Sequence, residues 1–428
     1  MEILLSIAIA LLCGLLMTRV IKPLGLPAVT GYLVAGILIG PYVLGQLGVA
    51  GLGFVSEDYV AKFGVISDVA LGFIAFSIGN EFRLSELKKI GKQAVIVGVF
   101  QALVAAIFVD IALVAMSFIL GNDVFPLTAA ITLGAIATAT APAATLMVVR
   151  QYKAKGPLTN LLLPVVALDD AVGLVVFAVS FGIAKAMDVG ALDLISIIVN
   201  PLIEIVASLV LGAVMGFIFS EVEKHFHSRS KRLSVSVTFV ILTVALTKLP
   251  AIPLGGTAHL TFSSLLTCMM LGTVFCNVCE SSEELMDRVD RWTTPLFVLF
   301  FVISGAELQF TIFAQGAIIL VGAVYIIFRS AGKMVGASAS AKFSGCNDTI
   351  VKYLGITLLP QAGVALGMSE LAKGLSGGAG EIVRNIVLFS VLIYELVGPL
   401  LTKMALTKAG EIIPEHRKSA KVINPEKQ

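Results

Sequence analysis

Charged side chains are scarce in this sequence, 14% of 428 residues against 57% hydrophobic, and the mean hydropathy is +0.99. A soluble globule of ordinary size cannot hide that much apolar surface, so the chain needs lipid as its solvent. An excess of one sign is missing too: the formal net charge is +2 and the basic residues are scattered through short loops, which excludes a nucleic-acid partner. Cysteine is sparse and odd in number, at five, and Cys13, Cys268 and Cys276 fall inside apolar runs where a thiol behaves as a small hydrophobe, so no disulfide framework is expected. Cys276 and Cys279 form a CxxC, but it closes an apolar segment with no second pair and no histidine beside it, and reads as a chance spacing. No cofactor is implied. The first apolar run, Ile3 to Val20, has no basic region before it and no A-x-A-like site after it, so it reads as a membrane helix and not a cleaved leader.

What the sequence has in abundance is apolar runs long enough to cross a bilayer core of about 30 Å, which takes about 20 residues of helix. Thirteen are expected: Ile3–Val20, Ala28–Leu47, Phe63–Asn80, Ala94–Leu120, Phe125–Val149, Leu158–Ala186, Ile195–Ser220, Leu233–Leu249, Ala258–Cys279, Thr293–Leu308, Ile312–Ala341, Val351–Ala372 and Ile382–Leu406. Loop charge tests the count independently. Of the 30 Lys and Arg, 23 lie in or at the edges of the loops after odd-numbered spans, five (Lys62, Lys185, Lys248, Lys373 and Arg384) in or at the edges of those after even ones, and Arg329 and Lys333 deeper within span 11. Because cytoplasmic loops retain Lys and Arg, the odd loops and the tail are expected in the cytoplasm and the N-terminus outside, in an inner (plasma) membrane.

The sequence also repeats itself. Span 3 ends Ser77-Ile78-Gly79-Asn80-Glu81-Phe82 and span 10 ends Ile303-Ser304-Gly305-Ala306-Glu307-Leu308, while Ile37-Leu38-Ile39-Gly40 of span 2 is answered by Met269-Met270-Leu271-Gly272 of span 9. The offsets, 226 and 232, map spans 1 to 6 onto spans 8 to 13. Seven spans is an odd number, so the second copy is inverted. The expected architecture is an all-α polytopic membrane protein with two inverted six-helix repeats. The first covers residues 1–186, a linker helix 187–230, the second repeat 231–408, and a short cytoplasmic tail 409–428. The repeat predicts that a break in span 5 recurs in span 12, and both carry one. Thr138-Ala139-Thr140-Ala141-Pro142-Ala143 stands in the first and Leu359-Pro360-Gln361-Ala362-Gly363 in the second. A mid-helix proline removes a backbone hydrogen bond and costs about 3 kcal/mol unless neighbours compensate. Irregular backbone at membrane depth survives only inside protein or beside a wet cavity, so two matched breaks, expected to cross, mark a midplane site.

Two acids sit where acids are expensive. Asp169 and Asp170 of span 6 lie about 16 to 18 Å beyond Leu158 at 1.5 Å per residue, and a central Asp costs about 2.5 to 3.5 kcal/mol to insert. They are tolerated only with protons, cations or protein partners. Arg329 and Lys333, one turn apart on span 11, are the candidate counter-ions, with snorkelling to the headgroups as their alternative. Asp68, Asp110, Glu204 and Glu395 are single intramembrane acids, of which the deepest, Asp110, is the reserve candidate. A carboxylate in such a site can hold a proton or a hard monovalent cation, not both, so exchange needs no covalent step and no enzyme chemistry. Carbonyls freed at the breaks, with the hydroxyls of Thr138 and Thr140, are expected to complete an oxygen shell. Two other readings compete. A Na⁺-coupled organic-anion transporter of similar architecture would use the amide ends of the half-helices. An intramembrane aspartyl protease is disfavoured, because adjacent helical residues project about 100° apart and cannot share a proton face to face.

Over nearly all of its membrane region the sequence resembles the monovalent cation:proton antiporters of the second type. The likeness rests on Gly31-Tyr32-Leu33-Val34-Ala35-Gly36 through Gly40-Pro41, the Thr140-Ala141-Pro142 break, Ala167-Leu168-Asp169-Asp170, and Gly332-Lys333. The resemblance implies exchange of Na⁺ first, or K⁺, for H⁺, electrogenic when both Asp are present and serving pH or salt homeostasis. It makes Asp170 the carrier, Asp169 its partner and Lys333 the counter-ion, in a homodimer whose spans 4 to 6 and 11 to 13 move as a core. With 22 residues after Leu406, the nucleotide-binding regulatory domain that some potassium-efflux relatives carry is not expected.

Overall fold

The structure is a computed structural model, described here for residues 2–24, 28–48, 53–80, 82–87, 91–141, 145, 148–149, 152–188, 200–250, 252–255, 258–309 and 316–412. It is helical throughout apart from a two-stranded antiparallel hairpin, β1 (Ile252–Gly255) and β2 (Ala258–Leu260). Among the described residues nine helices are long and apolar enough to cross a membrane. Four apolar helices are shorter: Gly64–Asn80, Leu127–Ile136, Ser264–Val278 and Gly363–Ala372. In chain order the helices are α1 (Glu2–Ile21), α2 (Ala28–Ile39), α3 (Glu57–Ala61), α4 (Gly64–Asn80), α5 (Leu84–Leu87), α6 (Lys92–Leu120), α7 (Leu127–Ile136) and α8 (Pro157–Asp188). They continue with α9 (Asn200–Glu223), α10 (Arg229–Thr247), α11 (Ser264–Val278), α12 (Ser282–Ala306), α13 (Gly316–Phe343), α14 (Asp348–Thr357), α15 (Gly363–Ala372) and α16 (Ala379–Lys408).

Each of the thirteen apolar runs carries helix. Span 2 keeps its expected extent, Ala28–Leu47, but not as one α-helix: α2 stops at Ile39, Gly40-Pro41 turns the chain and a 3-10 turn, Leu44–Leu47, completes it. Span 9 starts later than expected, β2 taking Ala258–Leu260 and α11 opening at Ser264. Glu81, the opening residues 195–199 of span 7 and the tail from residue 413 lie outside the described residues.

Proline alone does not break these helices. Pro164, Pro295 and Pro399 sit inside α8, α12 and α16, which run on through them. Spans 5 and 12 do break: α7 and α14 are each ten residues, about 15 Å or half a bilayer core, and irregular backbone follows both. Pro142 itself lies outside the described residues; Pro360 and Gln361 fall in the gap between α14 and α15, and Gly363 opens α15.

Two packing groups organise the helices. Helices α6, α7, α8, α13, α14, α15 and α16, which are spans 4 to 6 and 11 to 13, pack on one another, while α1, α2, α4, α10, α11 and α12 form the second group. Without a hydrophobic force between helices in lipid, close backbone approach at small residues holds them together. A Cβ on Gly36 of α2 would lie 1.9 Å from Val302 O of α12, and one on Gly305 of α12 would lie 2.2 Å from Leu33 O of α2. The second pair copies the first: a Cβ on Gly79 of α4 would lie 1.9 Å from Met269 O of α11, and one on Gly272 of α11 would lie 2.2 Å from Phe76 O of α4.

These contacts carry the inverted repeat, and they refine its register. Val302 stands to Phe76 by the expected offset of 226, but the glycine equivalent to Gly272 is Gly36, one helical turn before Gly40. Spans 4 and 11, equivalent in the repeat, meet antiparallel: Gly332 abuts Ala105 and Gly336 abuts Gln101. The linker helix α9 leans on α11, where a Cβ on Gly212 would meet Thr267 O at 2.3 Å.

Candidate functional site

Ending a helix inside a membrane protein frees carbonyls that must find donors, so where they go decides what the breaks are for. The two irregular segments bond each other: Ala141 N donates to Pro360 O at 2.8 Å, and Thr140 Oγ1 donates to Leu358 O at 3.2 Å. Arg329 of α13 covers three more carbonyls, with Nε to Ala137 O at 3.1 Å, Nη2 to Ala139 O at 2.6 Å and Nη1 to Leu359 O at 2.8 Å. Gln361 Nε2 donates to Ile136 O at 3.0 Å, Thr145 Oγ1 to Thr357 O at 3.2 Å, and Lys333 Nζ to Thr138 O. Helices α7 and α14 thus both aim the partially negative C-terminal ends of their dipoles at a crossing that holds two cationic side chains.

Lys333 also reaches the acid of the neighbouring helix. Its Nζ lies 2.7 Å from Asp169 Oδ2 and 3.0 Å from Thr140 Oγ1, and both Lys333 and Asp169 are fully buried. Gln101 Nε2 of α6 closes the other side of that carboxylate, at 2.5 Å from Oδ1. Arg329, by contrast, is bound to carbonyls and lies under the Tyr394 ring, its Cζ 4.4 Å from the centroid. The structure therefore divides the two candidate counter-ions: Lys333 meets Asp169, and Arg329 braces the crossing. Asp170 follows Asp169 in α8; its side chain lies outside the described residues.

The expected oxygen shell is not left open. The carbonyls of residues 136 to 139 and 357 to 360 each accept from a protein donor. Thr138 Oγ1 is turned back to Ala135 O at 2.7 Å. Buried Arg329 and Lys333 fill the crossing with positive charge and take the carbonyls of residues 137, 138, 139 and 359, and neutral donors take the other four.

The single acids stand apart. Asp110 packs against Gly134 of α7, where a Cβ would fall 1.7 Å from its Oδ1. Glu395 accepts from Thr30 Oγ1 at 3.4 Å, Asp68 pairs with Lys248 at 2.7 Å, and Glu204 accepts from Thr261 Oγ1 at 3.0 Å. Three residues of this assembly were not singled out from the sequence. Gln101 was visible as an amide in the apolar stretch from Val95 to Ala106, and Tyr325, whose hydroxyl accepts from Gln361 Nε2 at 3.0 Å, and Tyr394 as the hydroxyl-bearing rings of α13 and α16; nothing in their spacing tied them to the breaks.

The model of the family described as "Sodium/hydrogen exchanger, transmembrane" matches residues 7–408. The chain belongs to this exchanger family. Among its relatives in that family, the high-affinity Na⁺/H⁺ antiporter NhaS3 of Synechocystis is 24% identical over 93% of this chain and 88% of its own length. The ammonium/H⁺ antiporter subunit AmhT of Alkalihalophilus pseudofirmus is 21% identical over 87% of this chain and 91% of its own. The K⁺/H⁺ antiporter subunit KhtU of Bacillus subtilis is 23% identical over 87% and 85%. The fold is that of the sodium proton antiporter MjNhaP1 of Methanocaldococcus jannaschii, with a TM-score of 0.71 at 18% identity over 97% of this chain and 100% of the other.

Proposed function

We propose that this exchanger is a secondary active antiporter that trades a monovalent cation, Na⁺ first and K⁺ second, for protons by alternating access. One observation carries the reading: a fully buried Lys333–Asp169 pair, 2.7 Å apart, beside Asp170 and against two crossed helix breaks. Asp170 is the carrier, its carboxylate taking a proton or the cation in turn. Asp169 is held by Lys333 and Gln101 and so keeps the neighbouring negative charge compensated while Asp170 changes occupant. With the crossing's carbonyls engaged by Arg329, Lys333 and Gln361, the ion's ligands are the Asp170 carboxylate and water rather than a closed carbonyl cage. An empty carboxylate crosses the low-dielectric barrier poorly and an occupied one crosses well, which makes exchange obligatory.

In this reading the antiporter works as a homodimer in the inner membrane, N-terminus outside and C-terminus in the cytoplasm, in pH or salt homeostasis. It is electrogenic, which requires Lys333 to give up its own proton when Asp170 exchanges its proton for the cation, so that two protons leave for each monovalent cation taken up. Purified protein in proteoliposomes with an internal pH dye tests it. An alkali-cation-induced pH change is expected, and the absence of one across Na⁺, K⁺ and Li⁺ would end the proposal.

A further inference from the structure

The cytoplasm-facing start of α8, the helix that carries Asp169 and Asp170, is not capped by its own sequence. It opens at Pro157, and the donors that follow are bonded by a residue from the far end of the chain. Glu411 Oε1 accepts from Leu158 N at 2.6 Å, and Glu411 Oε2 accepts from Thr159 N at 2.8 Å and from Thr159 Oγ1 at 2.7 Å. Lys155 N donates to Glu411 O at 3.1 Å. Glu411 is 6% exposed, and the space for its carboxylate is kept by Gly156, where a Cβ would come within 2.4 Å of the carboxyl carbon.

The chain reaches this position by a defined turn. Gly410 takes a positive φ of 77°, and Glu411 N donates back to Leu406 O at 3.0 Å, the hydrogen bond that closes a helix through a left-handed glycine. Leu406 and Ile412 then bury into the same apolar cluster as Leu158, Leu162, Val165 and Val166, which runs up α8 toward Asp169.

We infer that Glu411 is a positioning residue for ion exchange, fixing the axial position of α8 and with it the register of the Asp169–Asp170 pair against Lys333 and Gln101. The inference rests on the reading of that pair as the exchange site. A carboxylate on two free amides at a helix N-terminus is held both by charge-assisted hydrogen bonds and by the helix dipole. Asp169 lies eleven residues, about 16 Å of rigid helix, above Leu158. Its contacts to Gln101 and Lys333, at 2.5 and 2.7 Å, do not tolerate an axial slip of even an ångström. Releasing the cap is therefore read at the ion site, as weaker cation binding and a displaced pH profile, with turnover at saturating cation retained.

The experiment compares Glu411→Ala, Glu411→Gln and Gly156→Ala with the unaltered full chain in proteoliposomes, measuring Na⁺- and K⁺-driven pH change across cation concentration and pH. Size-exclusion elution in detergent serves as the folding check, and Asp170→Asn is carried alongside. Glu411→Ala is expected to raise the apparent KM about tenfold, the order of one lost charge-assisted cap, and to move the pH profile. Glu411→Gln, which keeps the shape and one acceptor but loses the charge and the second acceptor, should fall between. Gly156→Ala should reproduce the Glu411→Ala phenotype, because its methyl takes the space of the carboxylate while residue 411 itself stays Glu. Unchanged KM and pH profile in Glu411→Ala and Gly156→Ala, or a loss of maximal rate alone, would overturn the inference. Retained exchange in Asp170→Asn would instead overturn the reading of the site.

Discussion

Lys333 and Arg329 sit one turn apart on the same helix face, yet their geometries assign them different tasks. A lysine is a compact point charge and satisfies one carboxylate oxygen with carbonyl and hydroxyl neighbours; a guanidinium is a planar fork that can serve three carbonyls at once. Arg329→Lys should therefore fail to replace Arg329: the shorter, compact ammonium cannot span the three carbonyls, and with at least one left unsatisfied at about 1 to 3 kcal/mol, thermal stability in detergent is expected to drop by several degrees. Lys333→Ala leaves Asp169 with Gln101 as a partner. An altered pH dependence or lost electrogenicity is expected, measured as exchange across pH and under an imposed voltage, without gross unfolding; an unchanged profile would remove Lys333 from the exchange cycle. Asp170→Asn should abolish exchange while expression and folding persist, since the amide keeps the size of the side chain but has no negative charge to trade a proton for a cation. Retained transport would move the carrier role to another acid, Asp110 first.

Among the elements, breakage follows from compensation more than from proline. Helices α8, α12 and α16 absorb an internal proline and continue; α7 and α14 end where Arg329, Lys333 and Gln361 stand ready to take the freed carbonyls. The glycine crossings supply the second lesson. Gly36 and Gly272 occupy equivalent places, an added Cβ meeting a backbone oxygen of the partner helix at 1.9 and 2.2 Å, far inside van der Waals contact. Gly36→Leu and Gly272→Leu should thus destabilise to similar degrees, and Gly40→Leu less severely, because its Cβ would first meet Gly36 O at 2.9 Å. Melting curves of the three variants in one detergent decide this, and equal losses at Gly36 and Gly40 would count against the revised register.

For the whole molecule, the segregation of Lys and Arg and the relative directions of the helices agree. Spans 2 and 10 run side by side in one sense, spans 3 and 9 do the same, and spans 4 and 11 oppose each other, as an inverted repeat with alternating loops requires. The absolute orientation is open to direct measurement. With the native cysteines replaced, Lys153→Cys should react with a membrane-impermeant thiol reagent only from the cytoplasmic face, and Lys62→Cys only from outside. The opposite pattern would invert the proposed topology and leave the exchange chemistry intact.

Membrane class, the thirteen apolar runs, the repeat and the Asp169–Asp170 pair were all legible in the sequence, because each rests on hydropathy, charge or spacing, which are properties of residues along the chain. Span interiors were legible only approximately, since Gly40-Pro41 interrupts span 2 by local turn geometry and β2 takes the first residues of span 9 within otherwise unbroken apolar runs. The choice between Arg329 and Lys333, the engagement of the crossing's carbonyls, the part of Gln101 and the reach of Glu411 to Leu158 and Thr159 were decided by tertiary structure alone. A hydrogen bond between groups 68 or 253 positions apart leaves no periodic trace in a sequence; it exists only where packing brings a buried donor to an acceptor that has no water to turn to.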